Sequence, residues 1–211
     1  RELPGLLAAP RAGARVSAAG ETFVIAIDGP AASGKSSTAQ WVADRLRYLH
    51  VDSGALYRAA TALALRELGA AAEQWAEADV LRLAADVSVV PGTTTFEPRI
   101  RGGAAEEEIR GADVTRCVSR VAQMPNVRAW VNEQVRRAAV GHSVVVDGRD
   151  IGTVVFPDAQ LKIFLVADPW ERARRRLTQR LGRRPTDPEI AEETERLVQR
   201  DAKDATQTVQ A

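Results

Sequence analysis

The sequence predicts an α/β fold, a parallel sheet with helices packed on both of its faces, and three observations carry that prediction. Short runs of β-branched and apolar residues recur along the chain. Segments with apolar residues at helical spacing lie between those runs. A glycine-rich loop, GPAASGKS over residues 29–36, joins the first run to the first helical segment.

Taken in order, TFVIAID (22–28) is a β-branched apolar run that stops at a glycine, which reads as a buried strand. KSSTAQWVADRL (35–46) follows without an internal breaker, and Ala39, Trp41, Val42 and Leu46 mark its expected apolar face. YLHVD (48–52) is the second strand. SGALYRAATALALRELG (53–69) is a helix, with Ser53 expected as its N-cap and Gly69 as its stop. From about residue 86 to 111 the alternation breaks, and DVSVVPGTTTFEPRIRGG reads as a few short strands in an insertion. Helices then return, with Pro125 dividing a short one from a longer one. VVVD (144–147) and LKIFLVA (161–167) are further strands, and the charged stretch 168–205 reads as two helices flanking a turn at 182–188. Residues 1–21 are expected to form a flexible extension.

At 211 residues the chain suits one domain, or a core carrying a small inserted subdomain. Its 29 basic and 28 acidic residues leave a net charge of +1, which excludes a general electrostatic field for nucleic acid or a membrane surface. No apolar run approaches the ~20 residues of a membrane span. Cys117 has no second cysteine to pair with, which fits a reducing cytoplasm. A monomer is expected. His50 and His142 lack metal-ligand spacing and are expected to be structural or solvent-facing, and Trp41, Trp75, Trp130 and Trp170 to pack helices.

Residues 29–36 match G-x-x-x-x-G-K-[ST], a P-loop, and the match sits where its mechanism requires, after a strand and at a helix start. In such a loop the backbone N–H groups of Gly29, Pro30, Ala31, Ala32, Ser33, Gly34, Lys35, Ser36 and Ser37, proline excepted, would curl around a nucleoside polyphosphate at the head of a helix dipole. Lys35 would reach the β- and γ-phosphates, and the Ser36 hydroxyl would ligate Mg²⁺. Lys35 is one of three lysines in a chain that otherwise uses arginine, so a compact ammonium is wanted there. Two more strand ends should converge on the loop. VDSGALYR brings Ser53, Tyr57 and Arg58; VVVDGRD brings Asp147, an acid placed to hold Mg²⁺ through water, and then Arg149 and Asp150, which could instead pair with each other. The arginine run 172–176 is either a solvated helix face or a phosphate-facing lid.

IDGPAASGKSS, DSGALYR, VSRVAQMPNVR, DGRDIGTVVFPDA and ERARRRL together, in this order, resemble the bacterial cytidylate kinases over residues 23–204. The resemblance implies transfer of a phosphoryl group from ATP to CMP or dCMP, on a P-loop core with a small monophosphate-binding insert and a helical lid. The implied division is a core of residues 22–85 and 143–171 with 201–211, an insert with its connecting helices at 86–142, and a lid at 172–200. By the same likeness Arg58 and Arg149 bind the acceptor phosphate. Ser119, Arg128 and Asp150 read the cytosine, Arg200 and Asp204 meet the sugar, and Arg175 with Arg176 match the family's paired lid arginines. The family usually has a further phosphate-binding arginine three residues after the Asp204 position and continues into a last strand and helix; here that position is Gln207 and the sequence stops at Ala211. Two alternatives to cytidylate kinase stay open: another small-molecule P-loop kinase, since the loop alone is shared by many nucleotide-using proteins, and a nucleotide-binding protein with weak catalysis, which these departures suggest.

Overall fold

A computed structural model describes the backbone of residues 22–207 and the side chains up to residue 202. The expected extension at 1–21, and the side chains of Asp204 and Gln207, lie outside the described residues.

The first strand, β1 (Val24–Asp28), feeds the loop and α1 (Lys35–Leu46); β2 (Leu49–Asp52) then leads directly into α2 (Ser53–Leu68). Next come a 3₁₀ turn and α3 (Glu77–Ala84), followed by the antiparallel strands β3 (Val87–Pro91), β4 (Phe96–Ile100) and β5 (Gly103–Ala104). These are the short strands expected of the insertion. Helices α4 (Glu106–Ile109), α5 (Ala112–Val121) and α6 (Pro125–Ala139) return the chain to β6 (Val144–Gly148), and Pro125 opens α6 where its missing N–H costs nothing. A π-helical turn at Ile151–Val155 precedes β7 (Leu161–Phe164), and α7 (Pro169–Leu181) and α8 (Asp187–Gln207) complete the described chain.

Among the described residues the main sheet runs β2-β6-β1-β7, all parallel. Side chains alternate across it as the period of two requires. Ile25, Ile27 and Val145 face α1 and pack with Ala39 and Ala43, whereas Ala26, Val51, Val144 and Val146 face α2 and the larger core. Small alanines on α1 and α2 let both helices lie close to the strands. The register aligns the strand ends: Asp28 is opposite Gly148, and Asp52 is opposite Asp147. Three acids therefore converge at the carboxyl edge, where ligands bind in such sheets. A third cluster joins Ala31 of the loop to Ala173, Leu177, Ile190 and Leu197, so α7 and α8 pack on the loop itself.

Four sequence expectations need correction. The cap of α2 is Asp52, whose Oδ1 accepts from the Ala55 N–H at 3.2 Å; Ser53 instead donates its hydroxyl to the Asp147 carbonyl at 2.7 Å. The buried side of α1 is Ala39 and Ala43, while Trp41 and Leu46 are exposed, because the helix meets the sheet along its narrow alanine stripe. Trp41 packs beneath Arg45 in a cation–π contact and Trp170 is also exposed, leaving Trp75 and Trp130 as the tryptophans in the core. The strand expected at 161–167 ends at Phe164 and carries mostly exposed side chains. Cys117 is buried. Helix α8 runs unbroken past residue 200, so the division between lid and core drawn there falls inside one helix. No helix among the described residues is long and apolar enough to cross a membrane.

Candidate active site

The loop is shaped by its glycines. Gly29 has φ +148°, and a Cβ there would overlap the Leu165 carbonyl of the neighbouring strand's extension. Gly34 has φ +99°, and between them Ala32 is left-handed at φ 58°. This succession turns backbone N–H groups inward at the head of α1. The Lys35 ammonium curls back to the Pro30 carbonyl at 2.8 Å, and the buried Ser33 hydroxyl makes no hydrogen bond, leaving polar capacity inside the loop.

Facing the loop is a cavity of about 300 Å³. Its wall includes Ala31, Ala32, Lys35 and Ser36 from the loop, Ser53, Tyr57 and Arg58 from α2, Ser119 from α5, Arg128 from α6, and residues 147–151 at the end of β6 and just beyond it. Arg176 and Arg200 reach it from α7 and α8. Sequence-predicted residues from seven separate segments thus share one space. Arg175 does not join them: it is exposed on α7 and lies outside the wall.

Seven basic side chains against three acids line this cavity. Burial lowers the pKa of Arg58 from its ordinary value, and the Arg200, Arg110 and Arg176 charges push it the same way against the pull of Asp52. Burial likewise lowers Arg176. Mutually repelling guanidinium groups in a half-enclosed space form an anion site, because a polyanion relieves the repulsion. Three of the cavity's arginines are nonetheless held by contacts to their surroundings. Arg58 donates to the Ile109 carbonyl at 3.3 Å and to the Thr115 hydroxyl at 3.1 Å, Arg149 donates to the Gly29 carbonyl at 2.6 Å, and Arg176 pairs with Glu193 at 3.0 Å. The alternative in which Arg149 merely pairs with Asp150 is not the arrangement found: Asp150 takes Arg128, at 2.6 Å.

Mg²⁺ would meet a fitting pair of groups. The Ser36 hydroxyl donates to Asp147 Oδ2 at 2.7 Å, so one hydroxyl and one carboxylate stand together beside Lys35. No cluster of three or more His, Cys, Asp or Glu side chains able to hold a metal exists among the described residues. A cation here would draw its remaining ligands from water and phosphate, the mode Mg²⁺ favours.

Three site residues, Asp28, Asp52 and Arg110, have no assignment from the sequence, and a fourth, Arg172, departs from its expected one. Asp28, buried at the end of β1, accepts from the Ile151 and Gly152 N–H groups at 2.8 Å each, which locks the π-helical turn against the loop. Burial raises its pKa above the ordinary carboxylate value despite those two donors. Asp52 is pushed up to about 6, first by burial and then by Asp147 opposite it. Arg110 lines the cavity. Arg172, buried, donates to the Ala31 carbonyl at 3.0 Å and pairs with Asp201 at 2.6 Å, so this member of the arginine run is neither solvated nor phosphate-facing. Asp52 directly before a helix start was the one local signal available, since aspartate is a favoured N-cap.

Lys35 gives a pH prediction. Burial, and next the Arg149 charge, lower its pKa to about 8, so the free protein loses this ammonium as pH rises through 8. The kcat/KM for ATP, which reports the free enzyme, should fall above about pH 8. Lys35→Arg, whose guanidinium does not titrate in this range, should lack that limb at whatever activity remains. An unchanged limb in the variant would assign it to another group.

Comparison with known proteins agrees with this geometry. The cytidylate kinase family model matches residues 25–211. The cytidylate kinase of Chloroherpeton thalassium is 40% identical over 191 residues, covering 89% of this chain and 80% of that protein. That of Salinibacter ruber is 42% identical over 194 residues, covering 89% and 83%, and that of Lactiplantibacillus plantarum 40% over 193 residues, covering 90% and 82%. With a family model spanning both the loop and the facing wall, and relatives similar across most of their own length, the chain belongs to the cytidylate kinase family.

Proposed function

We propose that the protein transfers the γ-phosphoryl group of ATP to CMP or dCMP, giving ADP and CDP or dCDP. The observation that carries this reading is one cavity with two kinds of wall: the Lys35 loop on one side, and on the other the Arg128–Asp150 pair beside Arg58 and Arg149. The loop suits a triphosphate, the arginines suit a monophosphate, and a paired guanidinium and carboxylate suit a base edge that both donates and accepts.

The reaction needs no side-chain nucleophile. An oxygen of the acceptor phosphate attacks the γ-phosphorus, the bridging P–O bond to the β-phosphate breaks, and ADP leaves. Two polyanions must approach, and the moving phosphoryl group spreads charge over its equatorial oxygens, so cations and exclusion of water carry most of the catalysis. Lys35 lies on the donor side. Arg58 and Arg149 hold the acceptor phosphate, with Arg149 fixed to the loop through the Gly29 carbonyl so that acceptor and donor share one frame. Arg128, Asp150 and Ser119 hold the base. Arg200 and Asp204 meet the sugar, and Arg176, released from Glu193, closes on phosphate from the lid side, where Arg175 could follow only by moving. Ser36 and Asp147 would hold Mg²⁺, which supplies charge neutralisation on the β- and γ-phosphates. We place this activity in the cytoplasm, consistent with a buried Cys117 that has no partner cysteine in the sequence, and in a monomer.

ADP release measured with CMP, dCMP, UMP, dTMP and AMP as acceptors tests the reading. Turnover should be fastest with CMP or dCMP. Preference for dTMP or for a non-nucleotide acceptor would point to another P-loop kinase. ATP binding without turnover of any acceptor would leave only nucleotide binding.

A further inference from the structure

His50 has no part in the proposed phosphoryl transfer, yet it is buried in the middle of the site's support. Its Nε2 lies 2.7 Å from Asp147 Oδ1, and its Nδ1 lies 3.1 Å from Gln40 Oε1 on α1. Gln40 is oriented in turn, since its amide nitrogen donates to Asp44 Oδ1 at 2.8 Å and to the Thr94 hydroxyl at 3.2 Å. Both ring nitrogens of His50 therefore face oxygens, and the ring plane is fixed at both ends. The backbone of His50 is tied as well: its N–H donates to the Thr94 carbonyl at 2.9 Å and its carbonyl accepts from the Thr95 hydroxyl at 3.2 Å, where the β3–β4 hairpin tip closes on the edge of β2.

Asp147 is thereby held on every oxygen. Oδ1 takes His50, Oδ2 takes the Ser36 hydroxyl, and the main-chain carbonyl takes Ser53. A carboxylate has two soft side-chain torsions, and one hydrogen bond on one oxygen leaves it free to rock. The second bond, on the oxygen turned away from the loop, removes that freedom and keeps Oδ2 on Ser36. Without the Nε2 donor, the buried Oδ1 loses its partner and the carboxylate is drawn toward the Lys35 ammonium, whose charge it already feels.

We infer that His50 is a positioning residue for the metal-holding carboxylate: it fixes Asp147 so that Asp147 and Ser36 present one pre-set pair of oxygens to Mg²⁺. This rests on the metal reading of Ser36 and Asp147 given above. Outer partners of this kind typically tune metal affinity about 10- to 100-fold when lost.

The test compares the protein's affinity for ATP with Mg²⁺ present and with EDTA, by calorimetry without acceptor; the ratio is the gain due to the metal. His50→Leu, an apolar residue suited to a buried place, should shrink that gain about 10-fold while leaving the affinity for metal-free ATP unchanged. His50→Gln, whose amide nitrogen reaches about as far as Nε2 and can donate to Asp147, should keep the gain to within about 3-fold of wild type. A His50→Leu protein with the full gain, or one that loses metal-free ATP binding equally, overturns the inference. If His50→Leu fails to fold by circular dichroism, Gln40→Leu decides: it leaves Nδ1 without its acceptor and should reduce the gain about 3-fold, and an unchanged gain overturns the proposal. A wild-type protein with no metal gain at all overturns the Ser36–Asp147 metal site, and the role of His50 with it.

Discussion

Lys35→Ala is expected to reduce phosphoryl transfer by about 10³-fold while leaving the chain folded. Removing one preorganised donor from a charge-developing site costs about 10²- to 10³-fold, and cations placed on a transferring phosphoryl group are worth still more. Among the described residues that line the cavity, Lys35 is the one cation that the loop itself carries, and the arginines reach the cavity from other segments, Arg149 included although it bonds to the Gly29 carbonyl. Folding does not depend on it. Its side chain touches only the Pro30 carbonyl in the described hydrogen bonds, and burial already disfavours its charge, with the pKa brought to about 8. Alanine at the first position of α1 is the best helix former available. The measurement pairs ADP release with a thermal melt; a folded Lys35→Ala protein turning over at the wild-type rate would remove the loop from the mechanism.

The wild-type protein should prefer CMP over UMP by roughly 10²- to 10⁴-fold in kcat/KM. Cytosine presents an amino donor at N4 and acceptors at N3 and O2, whereas uracil presents an acceptor at O4 and a donor at N3. Arg128 donates to Asp150 Oδ2 at 2.6 Å and to the Ala122 carbonyl at 3.4 Å, so guanidinium and carboxylate are both pre-aimed at the cavity. Asp150 would accept from N4, and Arg128 would donate to N3 and O2. Uracil would set O4 against a carboxylate and N3–H against a guanidinium, and each buried mismatch costs about 1–3 kcal/mol. Burial raises the Asp150 pKa from its ordinary value, against the lowering pull of Arg128. Asp150→Asn should narrow the CMP/UMP ratio, because the amide can turn its NH₂ toward O4. Equal use of CMP and UMP by the wild type, or an unchanged ratio in the variant, would refute this reading of the base pocket.

Much of the site could be read from local sequence because its parts are local. The loop from Gly29 to Ser36 is a contiguous signal, and DGRD puts Asp147, Arg149 and Asp150 on one strand end, so their placement in one cavity follows from the strand's direction. What could not be read depends on which strand neighbours which. His50 meets Asp147 only because β2 lies beside β6, and nothing in the alternation of strands and helices fixes the order β2-β6-β1-β7. Arg172 looked like its exposed neighbours Arg174 and Arg175, and is set apart only by the helix phase that turns it onto Ala31 and Asp201. Asp28 likewise finds its donors more than a hundred residues away, in Ile151 and Gly152. Trp41 and Leu46 were misplaced for a related reason: large apolar residues suggested the inner face of α1, but the close approach to the sheet selects alanine.

The two glycines of the loop resist change for different reasons, and a saturation library would separate them. At Gly29 any side chain meets the backbone of the adjacent segment, in the Leu165 carbonyl, and cannot move it aside; all nineteen alternatives should vanish under selection, asparagine and aspartate included. At Gly34 a Cβ would find no atom within 4 Å, so the barrier is the backbone angle alone. Asparagine and aspartate, which tolerate such angles best, should survive there at reduced frequency. Drift in this loop is therefore steered toward its helix end, while its strand end stays fixed by the neighbouring main chain.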